Sequence, residues 1–410
     1  MTYRDENFLR SHIRSIVDFY YPVCIDHERG GFINQLLDDG TVFDPNTKHL
    51  VGTCRFIYNF AVAFLHFNEE QYRQAAAHGL AFLGRHHRQA DGGYAWVLSG
   101  SEVIDPTRYC YGHAFVLLAA AAAAKTGLPQ AQALVSETYD LLETRFWEAD
   151  AELYVDEIGA GDWSAVAAYR GQNSNMHMCE AMLATFEATG EARYLDRAAT
   201  LARRICSELT AQSGGLLWEH YHSDWSLDWE YNKEDPRHLF KPYGYLPGHF
   251  VEWAKLLMIL HRYRPEDWQV ASAERLFNTA MEKAWDGEAQ GMHYSFAPDG
   301  GILDTDRYYW VISEMIAAAA LLAVQTGRRQ YWDWYERGWE YADRHFIDHK
   351  HGGWFRILDR FGRKYSNEKS PPAKTDYHPV SACHEVIVAL RKTPASKYRD
   401  KRTTVLDPRS

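Results

Sequence analysis

The chain repeats a short segment, rich in glycine and aromatic residues, six times along its length. The segments begin at Gly30, Gly92, Glu152, Gly214, Gly291 and Gly352. Four of the five intervals between them are about 60 residues long, and the remaining one, of about 77 residues, contains a polar loop that we interpret as an insertion. A regular repeat of this length indicates an architecture that uses one supersecondary unit several times.

Between successive segments the sequence has pairs of stretches with the 3.6-residue hydrophobic period of helices. The pattern predicts twelve helices, near residues 5–20, 50–67, 71–89, 108–125, 129–146, 175–189, 192–211, 247–263, 267–283, 309–326, 328–346 and 376–391. Helices that follow the long loops are apolar on nearly all sides, whereas their partners carry regular charges. A helix that is apolar all round must be enclosed, and one with a polar face lies outside.

Inner and outer helices therefore alternate. We predict an all-α fold, an (α/α)6 barrel (a toroid of six helical hairpins) with short β-hairpins on the loops. An open solenoid is the alternative, but neither end of the chain resembles a polar capping repeat. We expect residues 1–392 to form a single catalytic barrel domain and residues 393–410 to be a flexible basic C-terminal tail.

Composition narrows the function classes. A net charge of −11 without a concentrated basic face argues against nucleic acid as a partner. The longest apolar run, residues 114–124, is too short to span a membrane. Six scattered cysteines without a Cys-x-x-Cys pair favour a reduced, cytoplasmic protein. Aromatic residues make up 14% of the chain, and such an excess either lines a sugar site or packs between helices. The composition fits a monomer or a homodimer.

In such a barrel the inner helices all begin at the same end, so their first turns should converge. Polar and aromatic residues in or near these turns are Arg55, Tyr111, His113, Asn173, His177, His249, Glu252, Trp310, Glu314 and His378. Histidines beside a cation and carboxylates suit proton transfer near neutral pH. His249 and Glu252 are one helical turn apart, so we expect the carboxylate of Glu252 to fix the tautomer of His249. No nucleotide-binding glycine loop or strained nucleophile elbow is found, and we expect no cofactor and no metal.

Four blocks of the sequence resemble the N-acylglucosamine 2-epimerase superfamily. They are Arg170-Gly-x-Asn173-x-Asn175-Met-His177, then Tyr231-Asn-Lys-x-x-Pro236-x-His238-x-Phe240 continuing to Gly244-x-x-Pro247-Gly-His249-x-x-Glu252-Trp253, then Arg307-x-x-Trp310-x-x-x-Glu314, and Lys374-Thr-Asp376-Tyr377-His378. The resemblance spans nearly the whole chain. The second block is more similar to the mannose isomerase and aldose–ketose isomerase branch than to the epimerases of that superfamily.

The resemblance implies a residue set and the same barrel fold. His249 and His378 would be the acid/base pair, supported by Arg55, His177 and Glu252. Tyr111, Asn173 and Trp310 would contact the sugar, and we add Glu314 and His113 from the same barrel mouth to the substrate-binding set. The last block is one residue shorter than in some family members, which makes His384 a rival for the second base. We favour His378 because it follows a tyrosine, as the family's histidine does.

The hypothesis is a metal-free interconversion of an unphosphorylated aldose and its ketose, with D-mannose and D-fructose preferred. His378 removes the proton from carbon 2, and Arg55 and His177 hold the resulting cis-enediolate. Returning the proton to carbon 1 gives the ketose, whereas returning it to carbon 2 from the opposite face, by His249, gives the epimer. A sugar 2-epimerase of the mannose/glucose or N-acylglucosamine type is therefore the alternative. Less favoured are a glycoside hydrolase that uses Glu252 and Glu314 and a non-catalytic binding toroid.

Overall fold

Twelve helices, in the residues described by the computed structural model (3–238 and 240–392), form the frame of the protein. They are α1 (Glu6–Tyr20), α2 (Leu50–Phe67), α3 (Glu70–Phe82), α4 (Cys110–Ala124), α5 (Pro129–Arg145), α6 (Gln172–Thr189), α7 (Ala192–Arg203), α8 (Pro247–Tyr263), α9 (Asp267–Ala284), α10 (Tyr309–Thr326), α11 (Arg329–His345) and α12 (Tyr377–Lys392). Two outer helices run on as π-helix, α3 through Leu83–His87 and α7 through Arg204–Leu209, where a last short turn, Thr210–Gln212, follows.

The even-numbered helices form a closed inner ring. Each packs against the next, and α12 packs against α2. Five of the helix pairs are consecutive hairpins, from α2–α3 to α10–α11, while the sixth pair is made by the two ends of the chain, with α1 against α12. The predicted (α/α)6 barrel is confirmed, and packing between the chain ends completes it.

Enclosure explains the apolar character of the inner helices. Both α2 and α10 are long and apolar enough to cross a membrane by composition, yet 83% and 78% of their apolar windows are buried inside the barrel. One hydrophobic core cluster extends from Leu9 to Ala389. All six cysteines are buried and free. The predicted tail, residues 393–410, lies outside the described residues.

Short antiparallel strands cover the end of the barrel at which the inner helices begin. In the described residues they are β1 (Gln35–Leu37), β2 (Val42–Asp44), β3 (Thr47–His49), β4 (Val97–Ser99), β5 (Glu102–Asp105), β6 (Arg108–Tyr109), β7 (Trp147–Glu148), β8 (Leu153–Tyr154), β9 (Glu157–Ile158), β10 (Arg170–Gly171), β11 (His220–Tyr221), β12 (Ser295–Phe296), β13 (Ile302–Asp304), β14 (Arg307–Tyr308), β15 (Ile357–Leu358) and β16 (Glu368–Ser370). Pairs such as β1–β2 and β12–β13 are the predicted hairpins on the loops.

Other strand pairs join neighbouring repeats into a belt. Strands that precede an inner helix pair with a strand of the following repeat: β3 with β4, β6 with β9, β10 with β11, β14 with β15, and β16 with β1. Between the fourth and fifth repeats, a bridge from Tyr245 to Phe296 makes the connection. The belt fixes the amino ends of the inner helices relative to one another, around the site.

Ion pairs with a buried cation recur at the corresponding point of five repeats. They are Asp26–Lys48 at 2.6 Å, Asp91–Arg108 at 2.9 Å, Glu148–Arg170 at 2.7 Å, Asp286–Arg307 at 2.7 Å and Asp348–Lys369 at 2.6 Å. In the first four pairs, the cation lies just before the start of an inner helix. Because a buried charge without a partner is costly, each of these four pairs holds the start of its helix against the preceding glycine-rich segment.

Candidate active site

The amino ends of α8 and α12 meet at the indole ring of Trp310, which lies near the start of α10. The imidazole rings of His249 and His378 lie 5.3 and 5.7 Å from it, measured between ring centroids. Both histidines are nearly buried, at 6% and 4% exposure, while Trp310 itself is partly exposed. Two helices far apart in the sequence, α8 and α12, thus bring their first-turn histidines to one aromatic surface.

The hydrogen-bond partners of His378 leave its Nε2 unprotonated, as a base requires. Its Nδ1 lies 2.7 Å from Oε1 of Glu314, and its Nε2 lies 3.3 Å from Nη2 of Arg55. Because arginine can only donate, these partners assign the proton to Nδ1 and the lone pair to Nε2, which accepts from Arg55. Burial, with the positive charges of Arg55 and Lys255, holds the pKa of His378 well below its usual range. The imidazole is therefore neutral and basic at Nε2.

His249 is oriented in the same way by a different carboxylate. Its Nδ1 lies 2.9 Å from Oε2 of Glu219. The Nε2 of Gln172 donates to that same oxygen at 2.8 Å, and its Oε1 accepts from Trp253 Nε1 at 2.7 Å. The expectation that Glu252 fixes the tautomer of His249 is wrong. Glu219 does so, from the loop segment just before β11.

Glu252 instead lies beside a third histidine, deeper in the barrel. Its Oε1 is 4.0 Å from Nε2 of His177, whose Nδ1 contacts Oε2 of Glu180 at 2.9 Å. Burial, followed by the charge of Glu314, raises the pKa of Glu252 well above its usual range. Glu252 therefore lies beside His177 and Lys255 and is not the carboxylate partner of His249.

Arg55 supplies positive charge next to the basic nitrogen of His378. Its Nη1 donates to the carbonyl of Ala373 at 2.9 Å and its Nη2 to Tyr111 Oη at 3.2 Å. The guanidinium lies 4.6 Å from the ring centroid of Phe115. Its buried Nε has no hydrogen-bond partner among the described residues. Donors held rigidly beside a base stabilise negative charge as it develops on a bound substrate.

Two of the predicted substrate contacts have other roles. Glu314 is fully buried, and its two oxygens face His378 Nδ1 and Lys255 Nζ, at 2.7 and 2.6 Å. His113 is also fully buried: its Nε2 accepts from the backbone N–H of Tyr94 at 3.1 Å and its Nδ1 donates to the carbonyl of Tyr109 at 2.7 Å. Burial lowers the pKa of His113 to about 4. Both expectations of a direct sugar contact are wrong.

The other predicted contacts remain open to a ligand. Tyr111, Asn173 and Trp310 are each partly exposed. Asn173 Oδ1 has no hydrogen-bond partner among the described residues. A partly exposed aromatic ring suits a sugar, since a sugar ring has an apolar face as well as hydroxyl edges.

The rival histidine, His384, lies at the other end of the inner helices. Its Nδ1 is 3.0 Å from Nε2 of His66, in the last turn of α2. It lines a cavity there with Leu65 and Lys125, and burial lowers its pKa to about 3. His384 is therefore not placed against Trp310.

Sequence reasoning missed four residues that orient the histidines: Glu180, Glu219, Gln172 and Lys255. Helical spacing could have indicated two of them, because Glu180 follows His177 and Lys255 follows Glu252 by three residues. Glu219 could not have been found in this way, since it reaches His249 across thirty residues of loop.

Two overlapping groups of these buried residues have donor atoms spaced closely enough to hold a metal ion: His177, Glu180 and Glu252, and Glu252, Glu314 and His378. Lys255 lies among the carboxylates of both groups.

Comparison with known proteins places the chain among sugar isomerases and epimerases. The family described as N-acylglucosamine 2-epimerase matches residues 30–382. A D-mannose isomerase of Marinomonas mediterranea is 50% identical over 386 residues, which cover 94% of this chain and 98% of that protein. A second D-mannose isomerase, from Thermobifida fusca, is 36% identical over 86% of each chain.

Solved structures agree with this result. A crystal structure of D-mannose isomerase superposes with a TM-score of 0.93 at 49% identity, covering 95% of this chain and 99% of that one. Cellobiose 2-epimerase from Spirochaeta thermophila superposes with a TM-score of 0.82 at 22% identity, over 94% and 97% of the two chains. The more distant match supports the shared barrel fold alone.

Proposed function

The chain belongs to the N-acylglucosamine 2-epimerase family, and from this premise we propose that it is an isomerase that interconverts D-mannose and D-fructose. The observation that carries the proposal is the pair of histidines at Trp310, His249 and His378. A glutamate contacts Nδ1 of each histidine, and Arg55 lies beside Nε2 of His378. Relatives named D-mannose isomerase, at 50% and 36% identity, support the choice of sugar.

His378 is the base at carbon. With the open-chain sugar against Trp310, Nε2 of His378 takes the proton from carbon 2, and the electron pair of that bond forms the cis-enediolate. Arg55 and His177 stabilise its oxygens, the former through donors that already point at the base. A proton passes from the oxygen on carbon 2 to the oxygen on carbon 1, and the protonated His378 returns its proton to carbon 1 on the same face, which yields the ketose.

His249 and Glu252 act at oxygen atoms. His249 assists ring opening as an acid and base, with Glu219 holding its Nδ1 proton. The side chain of Glu252, beside His177, supports that histidine in holding the intermediate.

Epimerisation at carbon 2 is the second candidate, because two bases rather than one contact Trp310. A proton returned to carbon 2 from the opposite face by His249 would give glucose. The hydrolase reading loses its support, since Glu314 is buried between His378 and Lys255 and cannot flank a glycosidic bond.

The test is product analysis after incubation with D-mannose, with and without a chelator. We expect fructose in both samples. Glucose as the main product would make the protein an epimerase, and unchanged mannose in both samples would contradict the proposal.

Replacing Glu219 with glutamine should lower kcat/KM on the order of tenfold or more, because the amide lacks the charge that orients and stabilises a protonated His249. Steady-state kinetics with D-mannose measures the effect. Glu28→Gln is the matched control, since that side chain is 79% exposed on the surface. Equal activity of the two variants would remove Glu219 from the mechanism.

The dependence of activity on pH should reflect the lowered pKa of His378. His378 works unprotonated, and its pKa lies well below the usual range because it is buried beside cations. Activity should therefore rise with pH through that low pKa and already be level at about pH 6.5, the ordinary histidine value. A profile of kcat/KM against pH tests this. A loss of activity on acidification that is centred above that value would contradict the assignment.

We further propose that the protein works in the cytoplasm as a monomer or homodimer, that residues 1–392 act as one catalytic domain, and that neither nucleic acid nor membrane is a partner. Gel filtration of the purified chain tests the assembly.

A further inference from the structure

Three glutamates and two histidines converge below the sugar-binding surface, at the centre of the barrel. Within the group of His177, Glu180 and Glu252, and again within that of Glu252, Glu314 and His378, the donor atoms lie within 4.8 Å of one another. Every member is buried. Carboxylate and imidazole donors at such spacing form the kind of cage that binds a zinc ion.

A lysine of this chain occupies the cage. The Nζ of Lys255 lies 2.6 Å from Glu314, 3.4 Å from Glu180 and 3.9 Å from Glu252. Its side chain is 1% exposed. One ammonium group thus faces the carboxylates of both donor groups at once.

We propose that Lys255 is the built-in cation of the active site: its ammonium group fills the place that a divalent metal ion would otherwise take, and it positions His378 through Glu314 and His177 through Glu180. The positioning part rests on the proposed function, because it assumes that these histidines handle the proton and the intermediate. The exclusion of metal rests on the geometry of the cage alone.

Electrostatics explains why a cation is needed there. Buried carboxylates that face one another repel and would protonate or move apart without a positive partner. Glu314 would then no longer hold the Nδ1 proton of His378, and Glu180 would no longer hold that of His177. An ammonium group supplies this charge by hydrogen bonding and leaves no open coordination position for a substrate oxygen.

A cavity at the end of the barrel opposite the sugar site reaches one member of the cage. The cavity at the carboxyl ends of the inner helices, which His384 lines, is also lined by Glu180. Removal of the lysine side chain should therefore leave an acidic cage that an ion in solution can reach.

Two variants separate the parts of the proposal. Lys255→Met keeps most of the side-chain volume without the charge, and we expect kcat with D-mannose to fall about a hundredfold while KM changes by less than about threefold, because the sugar contacts are intact. Lys255→Ala empties the cage, and we expect it to retain about one zinc ion per chain after gel filtration, measured by elemental analysis, where the wild type retains none.

Lys125→Ala is the matched control, since Lys125 pairs with Glu187 at 2.8 Å at the far end of the barrel. It should keep the wild-type kcat and bind no zinc. If Lys255→Ala is purified unfolded, zinc added during refolding should restore its thermal transition; refolding that does not respond to zinc would contradict the cage.

The positioning role is overturned if Lys255→Met keeps kcat within about threefold of the wild type, and the cage is overturned if Lys255→Ala retains no more zinc than Lys125→Ala. Wild-type protein that leaves D-mannose unchanged would overturn the proposed function, whereas the zinc measurement would still test the cage.

Discussion

Replacing His378 with alanine should lower kcat for the conversion of D-mannose to D-fructose by about a hundredfold or more, the usual contribution of a general base. Nε2 of His378 is the unprotonated nitrogen beside Arg55, and Glu314 holds the proton on the other nitrogen. Steady-state kinetics gives kcat and KM separately. KM should change little, because Trp310 and the polar groups that bind the sugar remain.

His384→Ala is the control that the chain itself offers, because both histidines lie on α12 and only one contacts Trp310. His384 contacts His66 at the opposite end of the inner helices, so its variant should keep kcat close to the wild-type value. A His378→Ala enzyme with normal turnover would refute the assignment, and so would an equally severe loss in His384→Ala.

Replacing Arg55 with methionine should lower kcat by about a hundredfold to a thousandfold, the range seen when a fixed donor to a developing oxyanion is removed. Arg55 is held by Ala373 and Tyr111, and its Nε keeps a free donor. Methionine preserves the packing against Phe115 without the charge. Steady-state kinetics with D-mannose measures the loss.

Arg55→Lys distinguishes charge from geometry. Lysine keeps the positive charge but cannot reproduce the planar fork of donors, so this variant should recover only part of the activity. Arg328→Met serves as the surface control, since the side chain of Arg328 is 59% exposed. A kcat of Arg55→Met within about tenfold of the wild type would contradict this role of Arg55, because no oxyanion stabilisation would then be lost.

The barrel could be predicted because its helices and turns leave local patterns in the sequence. Inner helices such as α4 must be apolar all round, and the glycine-rich segments recur because each repeat makes the same turn onto the belt of strands. Distant parts of the chain meet where α1 packs against α12 and where strand β16 pairs with β1. A repeat period does not specify such pairings, so they appear only in the structure.

The sequence predicted which helix ends carry the site residues, but not how their side chains are oriented. Position in the first turns brings His249 and His378 to Trp310, and Arg55 to His378. It could not show which way each side chain points, and His113 therefore proved to be a buried structural residue.

Side-chain direction also decides which glutamate contacts His249. Helical spacing placed Glu252 near His249, but the acidic cluster around Lys255 draws its carboxylate deeper into the barrel. The position beside His249 is filled by Glu219, from a loop segment whose approach to α8 depends on the tertiary fold.

The central claim is that histidine moves the substrate hydrogen as a proton through an enediolate. The most direct test is to run the reaction with ordinary D-mannose in D2O to equilibrium, with a chelator present, and to examine the fructose by NMR. A proton held on His378 exchanges with solvent over repeated turnovers, so deuterium should accumulate at carbon 1. Fructose that forms with no deuterium at carbon 1 would mean that hydrogen passes directly between the carbons as hydride, and would contradict the account.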